Sequence, residues 1–340
     1  MKKLLSTFAV VCVLMVLVFA TSVIAAPKYA NVKMPSTIRV IVAYNAGGSS
    51  DALARMTLPY WEKAILELTG KKVNAVVVNL PGAGGEIGWT SLAHTQRDGS
   101  TIGILNLPAV PIVEAARKAG FSPWLEKFTP LGVNVIDPNV IRLAKSSKYG
   151  SLKKALAAAK AKPGSVTVGA DGPLSDDHLA MYAVAQKVGA EFSFIPYAGG
   201  APANRALQSG EVDIAIGNVF DHIQTKDSQK DAAIMWSSRY ELIPDVPTIK
   251  EALGIDVGEL GSTRGFAIVS GSPKDLIEVY QEAFKISFSN AGYLESAKKR
   301  NITVVKPQIG ERFGKTMKEQ QALVGDLMEY FVKGGYIKKK

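Results

Sequence analysis

The sequence predicts an α/β protein of two lobes around a hinge, and three observations carry that prediction. Short β-branched runs alternate with helical stretches along the chain, the signature of mainly parallel sheets. Two strands end in glycine turns that open helices: Ile38 to Val42 runs into Asn45-Ala46-Gly47-Gly48-Ser49-Ser50, and Val76 to Val78 into Pro81-Gly82-Ala83-Gly84-Gly85. Gly132 to Pro138 reads as a crossover into a second α/β unit, and the glycine-rich stretch Val257 to Gly265 as the return. Two crossovers make a hinge, and ligand sites favour the cleft between hinged lobes. The resulting division is residues 27–133 with 258–340 in one lobe and 134–257 in the other.

In order, the expected strands are Ile38 to Val42, Val73 to Val78, Thr101 to Leu105, Val140 to Leu143, Val166 to Val168, Phe192 to Ile195, Val212 to Ile216, Ala232 to Trp236 and Phe266 to Val269. A helix begins near Ser50, with a kink or restart expected at Pro59 because proline removes a ladder donor. Ser151 caps Leu152 to Ala161, which stops at Pro163-Gly164, and Ser272 with Pro273 starts a helix through Phe288. A final helix from about Glu311 to Val332 places Phe313, Met317, Val324, Leu327, Met328 and Phe331 on one side, a stripe for core packing.

Residues 1–26 read as a secretory signal peptide. Lys2-Lys3 precede an apolar core from Phe8 to Ala20, and small residues allow cleavage after Ala25 or Ala26. The one cysteine, Cys12, lies inside this leader, so the exported chain has no disulfide. Of the formal charge of +10, two units belong to the leader lysines; the other cations are scattered apart from Lys338-Lys339-Lys340. Nothing resembles a basic, aromatic-interleaved stripe, so nucleic acid is not an expected partner. The expected protein is periplasmic and monomeric.

The glycine turns carry the chemistry. Each leaves backbone N–H groups at the positive end of a helix dipole, a ready site for phosphate or carboxylate. Enzyme motifs fail by comparison. From Gly82, the glycines at the first and third positions are followed by Ile87 at the sixth, so a dinucleotide fingerprint is broken. Gly310 to Thr316 has too few residues between its glycines for a P-loop, and no strand is expected before it. His94, His178 and His222 lack metal-ligand spacing, no serine sits in a GxSxG elbow, and no mature cysteine exists. No catalytic residue, metal or cofactor is expected, and the chain reads as a binding protein rather than an enzyme.

Five segments in order resemble the substrate-binding proteins of tripartite tricarboxylate transporters, the Bug family. They are Arg39 to Arg55; Pro81 to Gly85 with Asp98-Gly99; Ser175-Asp176-Asp177-His178-Leu179; Ile195 to Gly200; and Leu242 to Thr248. The chain departs from the family at Ala46, commonly proline, and at Asn79-Leu80, often Glu-Asn. The resemblance implies a periplasmic binding protein, type II-like, whose two α/β lobes close on a small carboxylate and deliver it to membrane permease subunits. It implies capture by backbone amides and waters rather than by an arginine. A sensory module, or an enzyme on a carboxylated substrate, are the alternatives.

The candidate ligand contacts are Tyr44, Ala46, Gly47, Gly48, Ser49 and Ser50 in the first loop and Pro81, Gly82, Ala83, Gly84 and Gly85 in the second. Ser49 and Ser50 also suit helix capping. Asp51 is included, with loop fixing by accepted N–H bonds as its favoured role. From the second lobe come Ser175, His178, Tyr197 and Gly199, with Asn106 and Asn218 at strand ends. For His178, a locally satisfied helix-start residue and a ligand contact stand level. Arg55 and Arg239 sit past their loops and read as structural.

Overall fold

The computed structural model describes residues 26–333, 335 and 337. All of the expected leader but Ala26, with Cys12 and the Lys338-Lys339-Lys340 tail, lies outside the described residues.

The chain begins with β1 (Thr37–Val42), α1 (Ser49–Thr69), β2 (Asn74–Asn79), α2 (Glu86–Ala93) and β3 (Thr101–Leu107), and β1 pairs in parallel with both β2 and β3. Then α3 (Ala109–Ala116) and the single turn α4 (Trp124–Lys127) lead into β4 (Phe128–Ala144). A second parallel unit follows: α5 (Leu152–Ala161), β5 (Thr167–Asp171), α6 (Asp176–Val188), β6 (Ser193–Tyr197), α7 (Gly200–Ser209) and β7 (Ile214–Asn218), with β5 central between β6 and β7. After α8 (Val219–Gln224), β8 (Gln229–Ile234) and α9 (Ile249–Leu253), β9 (Gly261–Val269) returns to the first unit beside β3. The chain closes with α10 (Lys274–Phe288), α11 (Ala291–Lys299), β10 (Val304–Ile309), α12 (Glu311–Ala322) and α13 (Val324–Lys333).

The sheet order is β2-β1-β3-β9-β4-β7-β5-β6, with β8 and β10 also on β4. The first expected crossover is thus not a loop, and the second is strand from Gly261 onward. Gly132 to Pro138 belongs to the 17-residue β4, which pairs first with β9 and β10 and then, from Asn139, with β7 and β8. Polar residues and prolines hid this strand. The register shifts between Pro130 and Gly132 and between Val133 and Val135, irregularities that accommodate a residue without an N–H inside a ladder.

Other differences are local. Helix α1 runs through Pro59 without restarting; Pro59 and Arg55 face solvent, so water can satisfy the carbonyl that loses its donor. Ser151 caps α5 by accepting from Lys154 N–H, but Pro273, not Ser272, precedes α10 as its cap residue, and Ser272 Oγ donates to Val269 O. The last helix breaks at Leu323 into α12 and α13, and β10 does precede Gly310. The apolar stripe is core: Phe313, Met317, Val324 and Phe331 are buried, and α13 packs against both α3 and α6. Trp61 stacks on Phe284 with ring centroids 5.0 Å apart beneath α1. No described helix is long and apolar enough to cross a membrane.

Candidate functional site

Both glycine loops end at one crevice, facing the tips of β5 and β6. The first is locked from within. Asp51 Oδ2 accepts from Gly47 N–H at 3.0 Å, and Arg55 Nε donates to both carboxylate oxygens at 3.0 Å. Burial opposes ionisation of Asp51, but those hydrogen bonds outweigh it and hold the carboxyl below its usual range.

The second loop is conformationally unusual. Gly82, Ala83, Gly84 and Gly85 have φ of 129°, 51°, 67° and 98°, four successive positive values. Glycine adopts these freely, whereas Ala83 is strained by about 1 kcal/mol. Such strain persists only where surroundings impose it and concentrates at binding sites. Here Gly85 N–H donates to Gly82 O at 3.0 Å, and Arg117 braces the outside by donating to Ala83 O at 2.7 Å while pairing with Glu86 at 2.6 Å.

The opposite wall is close. Asn45 N–H donates across the crevice to Ala198 O at 3.3 Å, and a Cβ built on Gly84 would lie 2.3 Å from Pro173 O. Between the walls is a chamber of about 210 Å³ bounded by Gly82–Gly85 on one side and Gly172, Pro173 and Pro196–Ala198 on the other. None of the described residues lining it is charged. Tyr44 lines it too, edge-on to Trp89 with centroids 6.1 Å apart, and burial pushes its phenol well above the usual range, so it stays neutral.

Tyr44 is shared with a second, smaller chamber of about 20 Å³, room for one water-sized group. Its wall contains Ser49, Ser50 and Asn106 from the first unit and Asp171, Asp176, Asp177 and Asp221 from the second, with Arg264 of β9 between. Asn139 Nδ2 donates to Asp177 Oδ1 at 2.7 Å and to Asp176 Oδ2 at 3.1 Å, and Asn218 Nδ2 donates to Asp176 Oδ2 at 3.2 Å. Arg264 is 3% exposed and donates to Asp137 Oδ2 at 2.7 Å and Asn218 Oδ1 at 2.6 Å. Burial pushes Asp137 up to about 6, and burial with the Asp176 charge pushes Asp171 up to about 7. Asp177 is raised well above the usual range by burial and by the charges of Asp171 and Asp176.

Among the expected contacts, Tyr44, Gly82, Ala83, Gly84, Gly85 and Tyr197 line the larger chamber, and Tyr44, Gly48, Ser49, Ser50, Asn106 and Asn218 the smaller. Gly199 touches the crevice from behind: its added Cβ would lie 3.3 Å from Asn45 N and from Tyr44 Cβ. The rest lie elsewhere. Ala46 is exposed and Pro81 half-buried, each beside its chamber wall, and the Gly47 amide is spent on Asp51, whose role is loop fixing. Ser175 caps α6, accepting from His178 N–H and donating to Asp171 O at 2.6 Å. His178 is a core residue: its ring stacks on Phe194 at 4.1 Å beside Phe331, its Nδ1 accepts from Leu174 N–H, and burial pushes it down to about 3. The Tyr197 hydroxyl turns away to donate to Glu211. Arg55 and Arg239 pair with Asp51 and Glu251, as structural residues should.

Sequence reasoning missed the acidic wall and its guanidinium. The available signal was Asp176-Asp177 directly after a capping serine, two charges where a buried helix start needs none.

The chain is similar to known proteins over most of its length. It is 32% identical to protein BugT of Bordetella pertussis over 261 residues, 75% of this chain and 77% of that protein. The structure of the periplasmic binding protein BugD superposes with a TM-score of 0.79 at 25% identity, covering 90% of this chain and all of that one (100%). MatC of Rhodopseudomonas palustris, solved with bound malate, has the same fold, with a TM-score of 0.76 at 21% identity over 86% of this chain and 99% of that one. Residues 63–330, from the middle of α1 to α13, match the tripartite tricarboxylate transporter family receptor. With glycine loops, crevice and sheet order all inside a fold of that kind, this chain belongs to the tripartite tricarboxylate transporter receptor family.

Proposed function

We propose that the protein is exported to the periplasm, captures a small carboxylate in the crevice and delivers it to the permease subunits of a tripartite tricarboxylate-type transporter. The lobes are residues 27–133 with 258–340, and residues 134–257, hinged on β4 and β9. The observation that carries this reading is the run of four positive-φ residues at Gly82–Gly85 facing a chamber whose described lining has no charged side chain. A carboxylate entering it would meet main-chain amides and the start of α2 rather than a counter-ion. Backbone donors of this kind suit an anion without the desolvation cost of a buried guanidinium. MatC, of the same fold, carries the dicarboxylate malate. Ligand contacts from both walls favour the closed arrangement over an open one that keeps only half of them.

Thermal unfolding of the purified protein against citrate, malate, succinate, benzoate and glutamate tests this. At about 100 times its dissociation constant, a true ligand adds roughly 2.7 kcal/mol of stability. If no carboxylate raises the midpoint, the reading is wrong; mass spectrometry showing a ligand returned altered would point to an enzyme instead.

A further inference from the structure

The smaller chamber has the wrong polarity for a second carboxylate. Four carboxyl groups line it against one guanidinium, and that guanidinium is already engaged by Asp137 and Asn218. Its unfilled hydrogen-bonding capacity is mainly for donors. From the opposite wall, Asn106 presents a carbonyl oxygen, Oδ1, that has no partner although the residue is only 3% exposed; its Nδ2 donates to Ser50 Oγ at 3.0 Å. Asp171 Oδ1 is likewise buried and unpartnered. Ser262 Oγ, also unpartnered, can act either way, and Arg264 Nε is the one unpartnered donor. Buried acceptors left without a donor cost about 1–3 kcal/mol each, so a group that supplies N–H bonds here is favoured.

We infer that this chamber receives an ammonium group of the bound solute, making the ligand amphoteric, with a carboxylate in the larger chamber and a primary amine in the smaller. The inference rests on the carboxylate reading above and narrows it. An ammonium has three donors and no acceptor, matching Asn106 Oδ1 and Asp171 Oδ1 from opposite walls and leaving a third for the neighbouring carboxyls. Its size fits a space of about 20 Å³. Each of Asp171, Asp176 and Asp177 offers an oxygen within 4.8 Å of the others, so a metal ion is the competing occupant. The Asn139 and Asn218 amides already claim oxygens of Asp176 and Asp177, which leaves fewer lone pairs than a metal ion's coordination shell requires. Tyr44, common to both chambers, places the two ends of one small molecule side by side.

Calorimetry with matched pairs differing only in the amine decides the matter: L-aspartate against succinate, L-glutamate against glutarate, and 4-aminobutyrate against butyrate. At least one aminated member should bind tenfold or more tightly than its deaminated partner. Asp177→Asn, close in shape to the protonated acid, should keep the fold and bring that ratio towards one, and Asn106→Ala should reduce it from the other wall. Deaminated members binding as tightly as aminated ones would overturn the inference while leaving the carboxylate reading intact. Failure of every member to bind would overturn the inference, and the carboxylate reading with it only if citrate, malate and benzoate also leave the unfolding midpoint unmoved. Calcium or magnesium chloride alone raising the unfolding midpoint of the native protein but not of Asp177→Asn would assign the chamber to a metal and equally overturn it.

Discussion

The larger chamber is walled by glycine and proline backbone, whereas the smaller one, sharing Tyr44, is walled by four carboxyls and a guanidinium. The first depends on backbone conformation and steric room, so a single added methyl disturbs it and pH does not. The second depends on charges taken out of water and held by amides, so it tolerates a change of charge less than a change of shape. Polar cavities built in these two ways fail differently, and each failure is measurable.

The largest effect should come from the charged wall. Arg264 lies opposite Val135 in the β9–β4 ladder and holds Asp137 at 2.7 Å, with both side chains almost wholly buried. Removing one partner of such a pair strands the other, at about 3–5 kcal/mol. Arg264→Met should therefore lower the denaturant midpoint strongly, and adding Asp137→Asn should restore part of the loss. A loss below about 1 kcal/mol would mean that the buried carboxyls are already neutral and the guanidinium idle.

The backbone wall predicts the opposite pattern, with binding lost and stability nearly kept. In Gly84→Ala the residue keeps a left-handed φ of 67°, a strain of about 1 kcal/mol. In the arrangement seen here its new methyl would lie 2.3 Å from Pro173 O, a clash that separation of the walls would relieve. Affinity for any carboxylate that stabilises the native protein should fall at least a hundredfold by calorimetry, with the unfolding midpoint little changed. Unaltered affinity would show that the second loop does not close on ligand.

The two chambers also differed in how far the sequence disclosed them. A glycine pair after a strand has few explanations, so Gly82 to Gly85 stood out as a candidate anion site before any coordinate. The paired loops, the parallel units and the helix stripe at Phe313 and Met317 were legible for the same reason, because each pattern has one common physical cause. Asp176 and Asp177 had a commoner explanation available, acidic residues in a first helical turn. Asp171 read as the end of a strand, and Arg264 sat inside a stretch read as a crossover. From Gly261 onward that stretch, like Gly132 to Pro138, is strand whose burial comes from the crossing of β4 and β9, a tertiary circumstance that periodicity cannot carry. His178 failed for a related reason: the motif around it is local, but its ring is claimed by Phe194 and Phe331 from distant parts of the chain.

The smallest effect separates the chambers by pH. Asp171 is faced by Asp176 and Asp177 from α6, Asp221 from α8, Arg264 from β9 and Tyr44 from the first unit. Its carboxyl titrates near 7 in the folded protein, from burial first and the Asp176 charge second, against an ordinary value of 3.8. A raised carboxyl stabilises the fold while protonated, so its contribution is full below about pH 4 and is lost as pH rises through about 7. His178 and His222, pushed by burial down to about 3 and about 4, act in the opposite sense: about half of each is protonated in the unfolded chain at pH 6.5 and almost none at pH 8, so each returns about 0.4 kcal/mol of stability over that range. Between pH 6.5 and 8 the carboxyl's loss of about 0.8 kcal/mol is therefore nearly cancelled in the empty native protein, whose midpoint should change little. Asp171→Asn removes the titrating acid, so its midpoint should rise by about 2 °C over that range, whereas Gly84→Ala, which touches only the backbone wall, should keep the flat profile of the native chain. A midpoint that rose in both variants would show that the two chambers titrate as one site.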